Sequence, residues 1–467
     1  MKTALLTFAF LLCIHHSKAQ SVSFSPKKSY SVDINPEAFC KGDFNRDGNI
    51  DFATANSNGS VSIVLGDGKG SFGASANFAI SPIPKSICSA DFNGDGKADL
   101  ATINTGLGNV SILLGDGKGG FIPAEGILIG IYNSAATLCS SDFNSDGKAD
   151  LIITRGFRTV YLALGTGDGN FKKPDTVGVN NATHLVVPSD FNNDGNVDIA
   201  VTTNSDKKSY ISIVLGDGKG GFGNAVNFAS GISPQSMIAG DLNGDGKIDL
   251  ATANMGDNST GNVSVLFGDG KGSFEANKDF SIGDATVPRS VCSGDFNGDG
   301  KIDIATATIV NNTTPKAAIL MGDGEGNFGT PTNFEVDSYP NSILCSDFNG
   351  DGKIDLAVGT VKTNNDTGKV SVLLNSSTTD VSEFAINDAS LQLYPNPCNG
   401  IFTIDTKAKN EICILEIYNL FGQKVNVVPD AQSNGSYVIN LSKESAGVYI
   451  VRLYSGDRVY TESIVKK

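Results

Sequence analysis

Histidine and tryptophan are the scarcest residues in this 467-residue chain, which has three histidines and no tryptophan. His15 and His16 lie in the first 20 residues, so His184 is the only histidine in the rest of the sequence. This excludes histidine-rich metal sites, and a Ser-His-Asp triad would have to use His184. The lack of tryptophan removes the best stacking surface for sugars, although Tyr and Phe remain. The net charge of −15 argues against binding to nucleic-acid phosphates.

Long apolar runs are also scarce after the N-terminus. Residues 1–19 have the pattern of a secretory signal peptide, because Lys2 precedes an apolar run from Ala4 to Ile14 and a small-residue cleavage site, Ser17 to Ala19, follows it. No later stretch approaches the roughly 18 apolar residues that a membrane helix requires. We therefore expect an exported protein without a transmembrane segment.

Cysteine is present in a number that excludes a complete disulfide framework. Without Cys13 of the predicted leader, seven cysteines remain, which is an odd number: Cys40, Cys88, Cys139, Cys292, Cys345, Cys398 and Cys413. The first five precede the acidic motif described next, where other copies of the motif have Val187 and Ile238. Equivalent positions in adjacent sheets are expected about 10 Å apart, beyond the ~7 Å Cα limit for a disulfide. The pattern predicts buried free thiols on these five strands and leaves the redox state of Cys398 and Cys413 open.

A repeated acidic motif dominates the sequence. Asp-Phe-Asn-x-Asp-Gly-x-x-Asp, or a close variant, occurs seven times at intervals of 48 to 54 residues, beginning at Asp43, Asp91, Asp142, Asp190, Asp241, Asp295 and Asp347. Four short apolar stretches accompany each copy, separated by glycine-rich turns, and we name these predicted strands A, B, C and D. Seven units of four antiparallel strands are typical of a β-propeller.

The ends of the repeat region predict closure of a ring. The seventh copy stops after strand C, and residues 24–32 resemble a strand D that precedes the first strand A. We expect this N-terminal strand to complete the last blade, which leaves no open edge between blades. The predicted fold is therefore an all-β, seven-bladed β-propeller at 20–377, a linker at 378–389 and a small β-sandwich at 390–467.

The acidic motif has the chemistry of a calcium loop. Its side chains present oxygen at positions 1, 3, 5 and 9, position 7 offers a backbone carbonyl, and glycine at position 6 permits a sharp turn. An EF-hand would need an acidic residue at position 12 and a following helix, but position 12 of the second copy is Thr102 in a strand pattern. We expect about seven calcium ions. The predicted ligands are Asp43, Asn45, Asp47, Asn49 and Asp51; Asp91, Asn93, Asp95, Lys97 and Asp99; Asp142, Asn144, Asp146, Lys148 and Asp150; Asp190, Asn192, Asp194, Asn196 and Asp198; Asp241, Asn243, Asp245, Lys247 and Asp249; Asp295, Asn297, Asp299, Lys301 and Asp303; and Asp347, Asn349, Asp351, Lys353 and Asp355.

A ligand face is predicted at the opposite end of the blades. The A–B and C–D turns, which are nearly the same in every copy, share one end, whereas the B–C and D–A connections vary in length and chemistry and include the aromatic residue Tyr339. The residue six positions before each motif should ring the mouth of the central channel, where polar groups can converge on a ligand. These residues are Glu37, Lys85, Ala136, His184, Gln235, Arg289 and Asn341. The alternative is that they are ordinary solvated loop residues.

Two family resemblances follow from these motifs. The acidic loops, together with Val-Ser-Ile-Leu-Leu-Gly-Asp-Gly-x-Gly-x-Phe, resemble the FG-GAP/VCBS repeat family over residues 24–375. This implies a propeller like the integrin α-subunit head, with calcium in the A–B loops. The segments at 393–397, 417–425 and 447–453 resemble the type A sorting domain of the type IX secretion system. That resemblance implies export across a Bacteroidetes-type outer membrane through 390–467, usually with removal of this domain at the surface.

The sequence leaves three classes of function open. The leading hypothesis is a secreted or cell-surface calcium-binding module, expected to be monomeric, for a glycan, a matrix polymer or a protein. The alternatives are a calcium-dependent polysaccharide lyase or hydrolase and a purely structural surface component, because a propeller fold alone does not choose among them. The sequence leans against an enzyme, since its regular carboxylates are assigned to calcium and no nucleophile motif is present. It does not identify the ligand.

Overall fold

The computed structural model describes residues 21–377 and 392–467, with gaps at 131–136, 155, 157–158, 180–181, 206–207, 258–259, 285, 312, 362–366, 406–412, 420–423, 426, 428, 432–435 and 456–457. The chain divides into two compact units, Met1–Thr379 and Asp380–Lys467. Both consist of strands, and the described ranges contain no helix, so the all-β prediction is confirmed. Accordingly, no described segment is a helix long and apolar enough to cross a membrane. The predicted signal peptide and linker lie outside the described residues.

The first unit has 29 strands among its described residues. In chain order they are β1 (Lys28–Ile34), β2 (Pro36–Gly42), β3 (Asp51–Asn56), β4 (Ser60–Val64), β5 (Ala76–Ala79), β6 (Pro84–Ala90), β7 (Asp99–Asn104), β8 (Asn109–Gly115), β9 (Phe121–Pro123), β10 (Ile127–Leu128), β11 (Leu138–Ser141), β12 (Asp150–Thr154), β13 (Thr159–Ala163), β14 (Asp175–Gly178), β15 (Ala182–Ser189), β16 (Asp198–Ser205), β17 (Lys208–Val214), β18 (Val226–Ala229), β19 (Pro234–Gly240), β20 (Asp249–Asn254), β21 (Asn262–Leu266), β22 (Lys278–Ser281), β23 (Thr286–Gly294), β24 (Asp303–Val310), β25 (Thr314–Leu320), β26 (Thr332–Glu335), β27 (Pro340–Ser346), β28 (Asp355–Thr360) and β29 (Thr367–Leu373).

These strands form seven antiparallel sheets in the described part of the unit. Sheets 1 to 6 are β2–β5, β6–β10, β11–β14, β15–β18, β19–β22 and β23–β26, and sheet 7 has the order β27, β28, β29, β1. The second strand is buried on both faces, as in Asp51–Asn56, whereas the fourth, as in Ala76–Ala79, is mostly exposed. Sheet 2 differs from the expected four strands, because β9 and β10 both pair with β8. Pro123, which has no N–H to donate, ends β9.

The core lies between neighbouring sheets. Each of the seven interfaces has its own apolar cluster, including the one between sheets 7 and 1. The first strand of every sheet contacts the first strand of the next, and β27 contacts β2, so the sheets form a closed ring with their first strands innermost. Hydrogen bonds also cross the interfaces, as where the N–H of Gly119 in sheet 2 donates to the carbonyl of Phe44 in sheet 1 at 3.0 Å.

The N-terminal strand closes the ring as the sequence indicated. Strand β1 pairs antiparallel with β29, and Phe24 forms a bridge with Asn375. Five other sheets have a glycine-to-phenylalanine bridge at this place, as in Gly66 with Phe72. Asn375 takes the place of the glycine, and its side-chain Nδ2 also donates to the carbonyl of Phe296 in sheet 6 at 2.8 Å. Residues from both ends of the repeat region therefore complete sheet 7.

The second unit has two sheets among its described residues. One has the order β30 (Gln392–Tyr394), β31 (Ile401–Asp405), β34 (Ser436–Asn440), β33 (Asp430–Ala431), and the other has the order β32 (Cys413–Asn419), β35 (Gly447–Ser455), β36 (Arg458–Lys466). Phe402 and Ile404 of the first sheet pack in one cluster with Ile417 and Val451 of the second. Two sheets that share a core in this way form the small sandwich that the alternating pattern predicted.

The cysteines follow the prediction in one respect and contradict it in two others. Cys40, Cys88, Cys139, Cys292, Cys345 and Cys398 are free thiols, but of the five predicted to be buried only Cys292 is, and the other four are half-buried. The expected wide separation is wrong for Cys292 and Cys345, whose thiols interact and lie in the same apolar cluster between sheets 6 and 7. The expectation assumed equivalent positions, but Cys345 lies one residue later on its strand than Cys292 does on its own.

Candidate functional site

All seven acidic loops curl around their own side-chain oxygens. In the second loop, Asp91 accepts the N–H groups of Asp95 at 3.2 Å and Gly96 at 2.7 Å, one on each carboxylate oxygen. Asn93 accepts the N–H of Asp95 at 2.9 Å, and Asp95 accepts that of Lys97 at 3.0 Å. The same four bonds recur in the other six loops. Gly96 has a φ of 76°, which explains the glycine at position 6.

The position-9 aspartate has a structural role that the sequence analysis missed. Asp99 is fully buried, and its Oδ2 accepts the N–H of Phe92 at 2.9 Å while its Oδ1 accepts the N–H of Gly115 at 2.7 Å. Each carboxylate at this position thus joins the A–B loop to the C–D hairpin of the same sheet. In sheet 7 the partner of Asp355 is Asn375, at 2.6 Å. The sequence does contain a signal for this contact, because six of the seven copies have a Gly-Asp-Gly or Gly-Thr-Gly turn whose first glycine supplies the N–H.

Electrostatics show that the carboxylates of a loop act on one another. Burial, followed by repulsion from positions 5 and 1, raises the pKa of the position-9 side chain. The pKa is raised to about 6 for Asp51, Asp150, Asp198, Asp249, Asp303 and Asp355. In two loops the lysine at position 7 pairs with the aspartate at position 5, with Lys97 to Asp95 at 2.9 Å and Lys247 to Asp245 at 3.0 Å.

The donor chemistry of these loops fits a calcium ion. An ionised carboxylate has about four acceptor sites, so an oxygen that accepts one N–H retains the capacity to ligate a cation. Three carboxylates, an amide oxygen and a backbone carbonyl are the hard oxygen donors that calcium takes. Across the described ranges, no group of three His, Cys, Asp or Glu side chains is already arranged to hold an ion. A calcium ion held here would require the loop oxygens to converge further.

The opposite end of the sheets has a repeated irregularity. The register between strands A and B shifts at the predicted ring position in six sheets. Such bulges turn a side chain out of the regular strand alternation. The ring-position residues within these shifts are Glu37, Lys85, His184, Gln235, Arg289 and Asn341, and the shift in sheet 4 also includes Leu185. The third-sheet equivalent, Ala136, lies outside the described residues.

Contacts join several of these six residues across the sheet interfaces. Lys85 Nζ lies 3.3 Å from Glu37 Oε1, and Asn341 Nδ2 donates to the backbone carbonyl of Glu37 at 2.8 Å. Burial lowers the pKa of His184, and a hydrogen bond to the backbone of Pro234 in the next sheet partly offsets it. Arg289 is exposed and forms no ion pair among the described residues.

Exposed apolar side chains lie next to these bulges, and most of them were not predicted. Ile83 is 38% exposed and Tyr339 is 46% exposed, and each directly precedes the proline that begins strand A. Both have left-handed backbone, with φ of 57° and 52°. This conformation is strained for a β-branched residue such as isoleucine, and such strain clusters at functional sites. Only Tyr339 was visible beforehand, as an aromatic in a variable connection.

A shallow cleft of about 590 Å³ lies at the acidic-loop end, between sheets 2 and 3. Asp91 and Gly94 of one loop line it, together with Asp142 and Lys148 of the next. Its lining is made of loop residues that repeat around the ring, so it resembles the other loop-to-loop gaps in chemistry.

Comparison with known proteins identifies two families. The FG-GAP-like repeat matches residues 43–102, 91–153, 142–201, 190–252 and 241–306, which together cover more than half of the chain. The Secretion system C-terminal sorting domain matches residues 392–467. No curated protein matches the chain.

Solved structures match the chain at low sequence identity. One match is the crystal structure of BBS1N in complex with ARL6DN, soaked with lead, with 10% identity and a TM-score of 0.50 over 75% of this chain and 96% of that chain. A second crystal of the same complex, soaked with mercury, has 11% identity and a TM-score of 0.49 over 76% of this chain and 98% of that chain. The first likeness supports the β-propeller architecture and nothing about ligands.

Proposed function

This chain belongs to the FG-GAP-like repeat family, and on that premise we propose that it is a calcium-loaded, seven-bladed β-propeller that binds an extracellular glycan, matrix polymer or protein. Its sorting domain marks it for the type IX secretion machinery, which exports proteins to the cell surface or the extracellular space. The seven sheets and the seven interface cores support the blade number.

Calcium would be held by the loop side chains at positions 1, 3, 5 and 9 and by the carbonyl at position 7. When bound, the ion supplies positive charge that neutralises three mutually repelling carboxylates. The protein's own contribution is the set of N–H bonds that keeps each loop curled, as between Asp91 and Gly96. We propose a structural role for the ion, because position 9 is already buried within the sheet by its bonds to two backbone N–H groups.

The proposed ligand face rests on one observation, which is the backbone bulge that recurs at the same place in six sheets. The bulge gives the six residues the same backbone geometry, while their polar side chains are all of different types. Side chains that converge on the mouth of a channel are typical of a binding site. Exposed Ile83 and Tyr339 add apolar surface beside the polar groups, and an aromatic side chain offers a stacking face for a sugar.

The proposal is tested by finding a ligand on glycan and protein arrays and then mapping its site. The combined Lys85→Ala, His184→Ala and Arg289→Ala variant should weaken binding at least tenfold and leave the melting temperature nearly unchanged. Lys148→Ala, in the cleft of the acidic-loop end, is the matched control and should bind normally. If Lys148→Ala alone reduced affinity, the ligand face would have been assigned to the wrong end.

The same protein should be incubated with a polysaccharide panel and assayed for new reducing or unsaturated ends. Release of such ends would identify a hydrolase or a lyase and overturn the assignment as a binding module. If neither binding nor cleavage were detected on these panels, the result would favour the structural surface role.

A further inference from the structure

Side chains just before each acidic loop alternate between two sheet interfaces. We call the third residue before the first aspartate the forward position and the second residue before it the backward position. At the forward position, Cys139 of sheet 3 donates its thiol proton to the carbonyl of Val186 in sheet 4 at 3.2 Å. At the backward position, Lys41 of sheet 1 reaches the carbonyl of Cys345 in sheet 7 at 2.8 Å. Successive strand residues point to opposite faces, so forward residues face the next sheet and backward residues face the previous one.

Each interface therefore opposes one forward residue to one backward residue. Between sheets 2 and 3 this pair is Cys88 and Ser140, and the Ser140 side chain is among the groups that influence the pKa of Cys88. Around the ring the sequence gives Cys40–Ser89, Cys88–Ser140, Cys139–Pro188, Val187–Ala239, Ile238–Ser293, Cys292–Cys345 and Leu344–Lys41. All these residues are within the described ranges, and the interface between sheets 6 and 7 is the one that opposes two cysteines.

The pair arises from a shift of one residue. In sheet 7 the forward position is Leu344, which packs in the core between sheets 7 and 1, and the cysteine has moved to the backward position. Cys345 consequently packs with Cys292 in the core between sheets 6 and 7. Its Sγ donates to the carbonyl of Ser293 at 3.0 Å, and the two thiols are close enough to influence each other's pKa.

We propose that Cys292 and Cys345 are a redox-active dithiol that closes to a disulfide between sheets 6 and 7 after export. The sorting domain marks the chain for export. Disulfides form and persist in the oxidising environments outside the cytoplasm. The oxidant is another disulfide, carried by a small thiol compound or by a protein. A covalent bond here would join the last two sheets of the ring through their innermost strands, β23 and β27.

The exchange has two balanced steps. The Cys345 thiolate attacks one sulfur of the donor disulfide, which forms a mixed disulfide and releases the first donor thiol. Cys292 then loses its proton and attacks the Cys345 sulfur, which forms the Cys292–Cys345 bond and releases the second donor thiol. Two electrons pass to the donor, and its two sulfurs leave as thiols with the protons that the cysteines gave up.

The surroundings make Cys345 the entry thiol. Its interaction with Cys292, with the charge of Lys41, lowers the pKa of Cys345, whereas burial raises the pKa of Cys292 well above its ordinary value. Cys345 is half-buried and Cys292 is 8% exposed, so a donor reaches Cys345 first. Burial raises the pKa of Cys40 and Cys139 to about 12, which makes them poor nucleophiles and internal controls.

The test uses the full-length reduced protein, oxidised glutathione as the donor, and alkylation followed by tryptic mapping. The expected product links the peptides 290–301 and 317–353, with the loss of two alkylatable thiols, while Cys40, Cys88 and Cys139 remain fully alkylated. Cys292→Ser should trap glutathione on Cys345, and Cys345→Ser should leave Cys292 reduced. Equal modification of Cys345 and Cys40, or a Cys345 that stays reduced, would overturn the proposal.

A gain-of-function variant tests the geometry independently. Ser140→Cys places a second thiol opposite Cys88, in the arrangement that sheets 6 and 7 have naturally. We expect this variant to form an additional disulfide between sheets 2 and 3 under the same conditions. If it cross-linked there while Cys292 and Cys345 stayed reduced, the natural pair would not be redox-active.

Discussion

Asp337 and Lys27 form an ion pair across 310 residues of sequence, with Nζ 2.8 Å from Oδ1. Asp337 lies just before sheet 7, and Lys27 directly precedes β1, the strand that closes that sheet. Ser29 of β1 and Ser371 of β29 also donate to the same carboxylate. The side chain of Asp337 is 21% exposed, so the pair is partly shielded from water. One carboxylate therefore holds both strands of the ring's seam.

Asp337→Asn should destabilise the repeat unit in a pH-dependent way. Partial burial would raise the pKa of Asp337, but hydrogen bonds from Lys27, Ser29 and Ser371 outweigh it and lower the pKa to about 2. Because the folded-state pKa is below the unfolded one, the stabilisation is present above about pH 4 and is lost as the pH falls through 2. It amounts to about 2 kcal/mol at most, given the partial exposure. Urea unfolding should show this difference at pH 7 and little difference at pH 2, and a constant difference would contradict the assignment.

Asp99→Asn and Asp95→Asn separate the two roles of loop carboxylates. Asp99 is buried against two N–H groups, so its replacement should lower stability by about 1–3 kcal/mol both with calcium and with EDTA. Asp95 is at the exposed side of the loop, so its replacement should matter only when calcium is present. Thermal melts of both variants in the two buffers provide the measurement. Identical behaviour of the two variants would show that positions 5 and 9 do not differ in role.

EDTA should lower the melting temperature of the wild-type protein, and added calcium should restore it. One site contributes about 2.7 kcal/mol when free calcium is a hundredfold above its dissociation constant. Metal analysis of the purified protein gives the stoichiometry, which we expect to be about seven. An unchanged melt in EDTA together with a metal-free protein would refute the calcium assignment.

Removal of residues 392–467 should abolish export and leave the repeat unit folded. All seven sheets are complete before residue 377, and none of their strands comes from the second unit. In a host with type IX secretion, the truncated protein should accumulate in the periplasm, with circular dichroism and melting like those of the full-length repeat unit. Surface display of the truncated form would show that the tail is dispensable.

The sequence predicted the strands because each copy repeats the same apolar stretches and glycine turns. Closure was also readable, since residues 24–32 carry the phenylalanine and the strand that the seventh copy lacks. The two roles of Asp99 were not readable, because its contact with Gly115 depends on how the hairpin returns in three dimensions. An aspartate that ligates a metal ion and an aspartate that accepts backbone N–H groups cannot be distinguished by residue type alone.

The position of Cys345 shows a different limit. The sequence analysis grouped Cys345 with Cys40 and Cys292, although Cys345 lies two residues before its acidic loop and the others lie three residues before theirs. In a strand that offset turns the side chain to the other face, so the thiol meets the preceding sheet. Likewise the bulges at Glu37 and Arg289 could not be predicted from residue types, because the register depends on how strand A pairs with strand B.

The seam of the ring has a consequence for folding order. Strand β1 is made first but pairs with β29, and Ser23 bonds to Ser377 across 354 residues, the highest sequence separation among the hydrogen bonds described in the unit. Contacts of this kind form late, after the loop-closure entropy has been overcome. Until then β29 is an open edge strand and β1 is unpaired. Two molecules that exchange β1 at this stage would complete each other's seventh sheet, so a strand-exchanged dimer is the misassembled form to look for during refolding at high concentration.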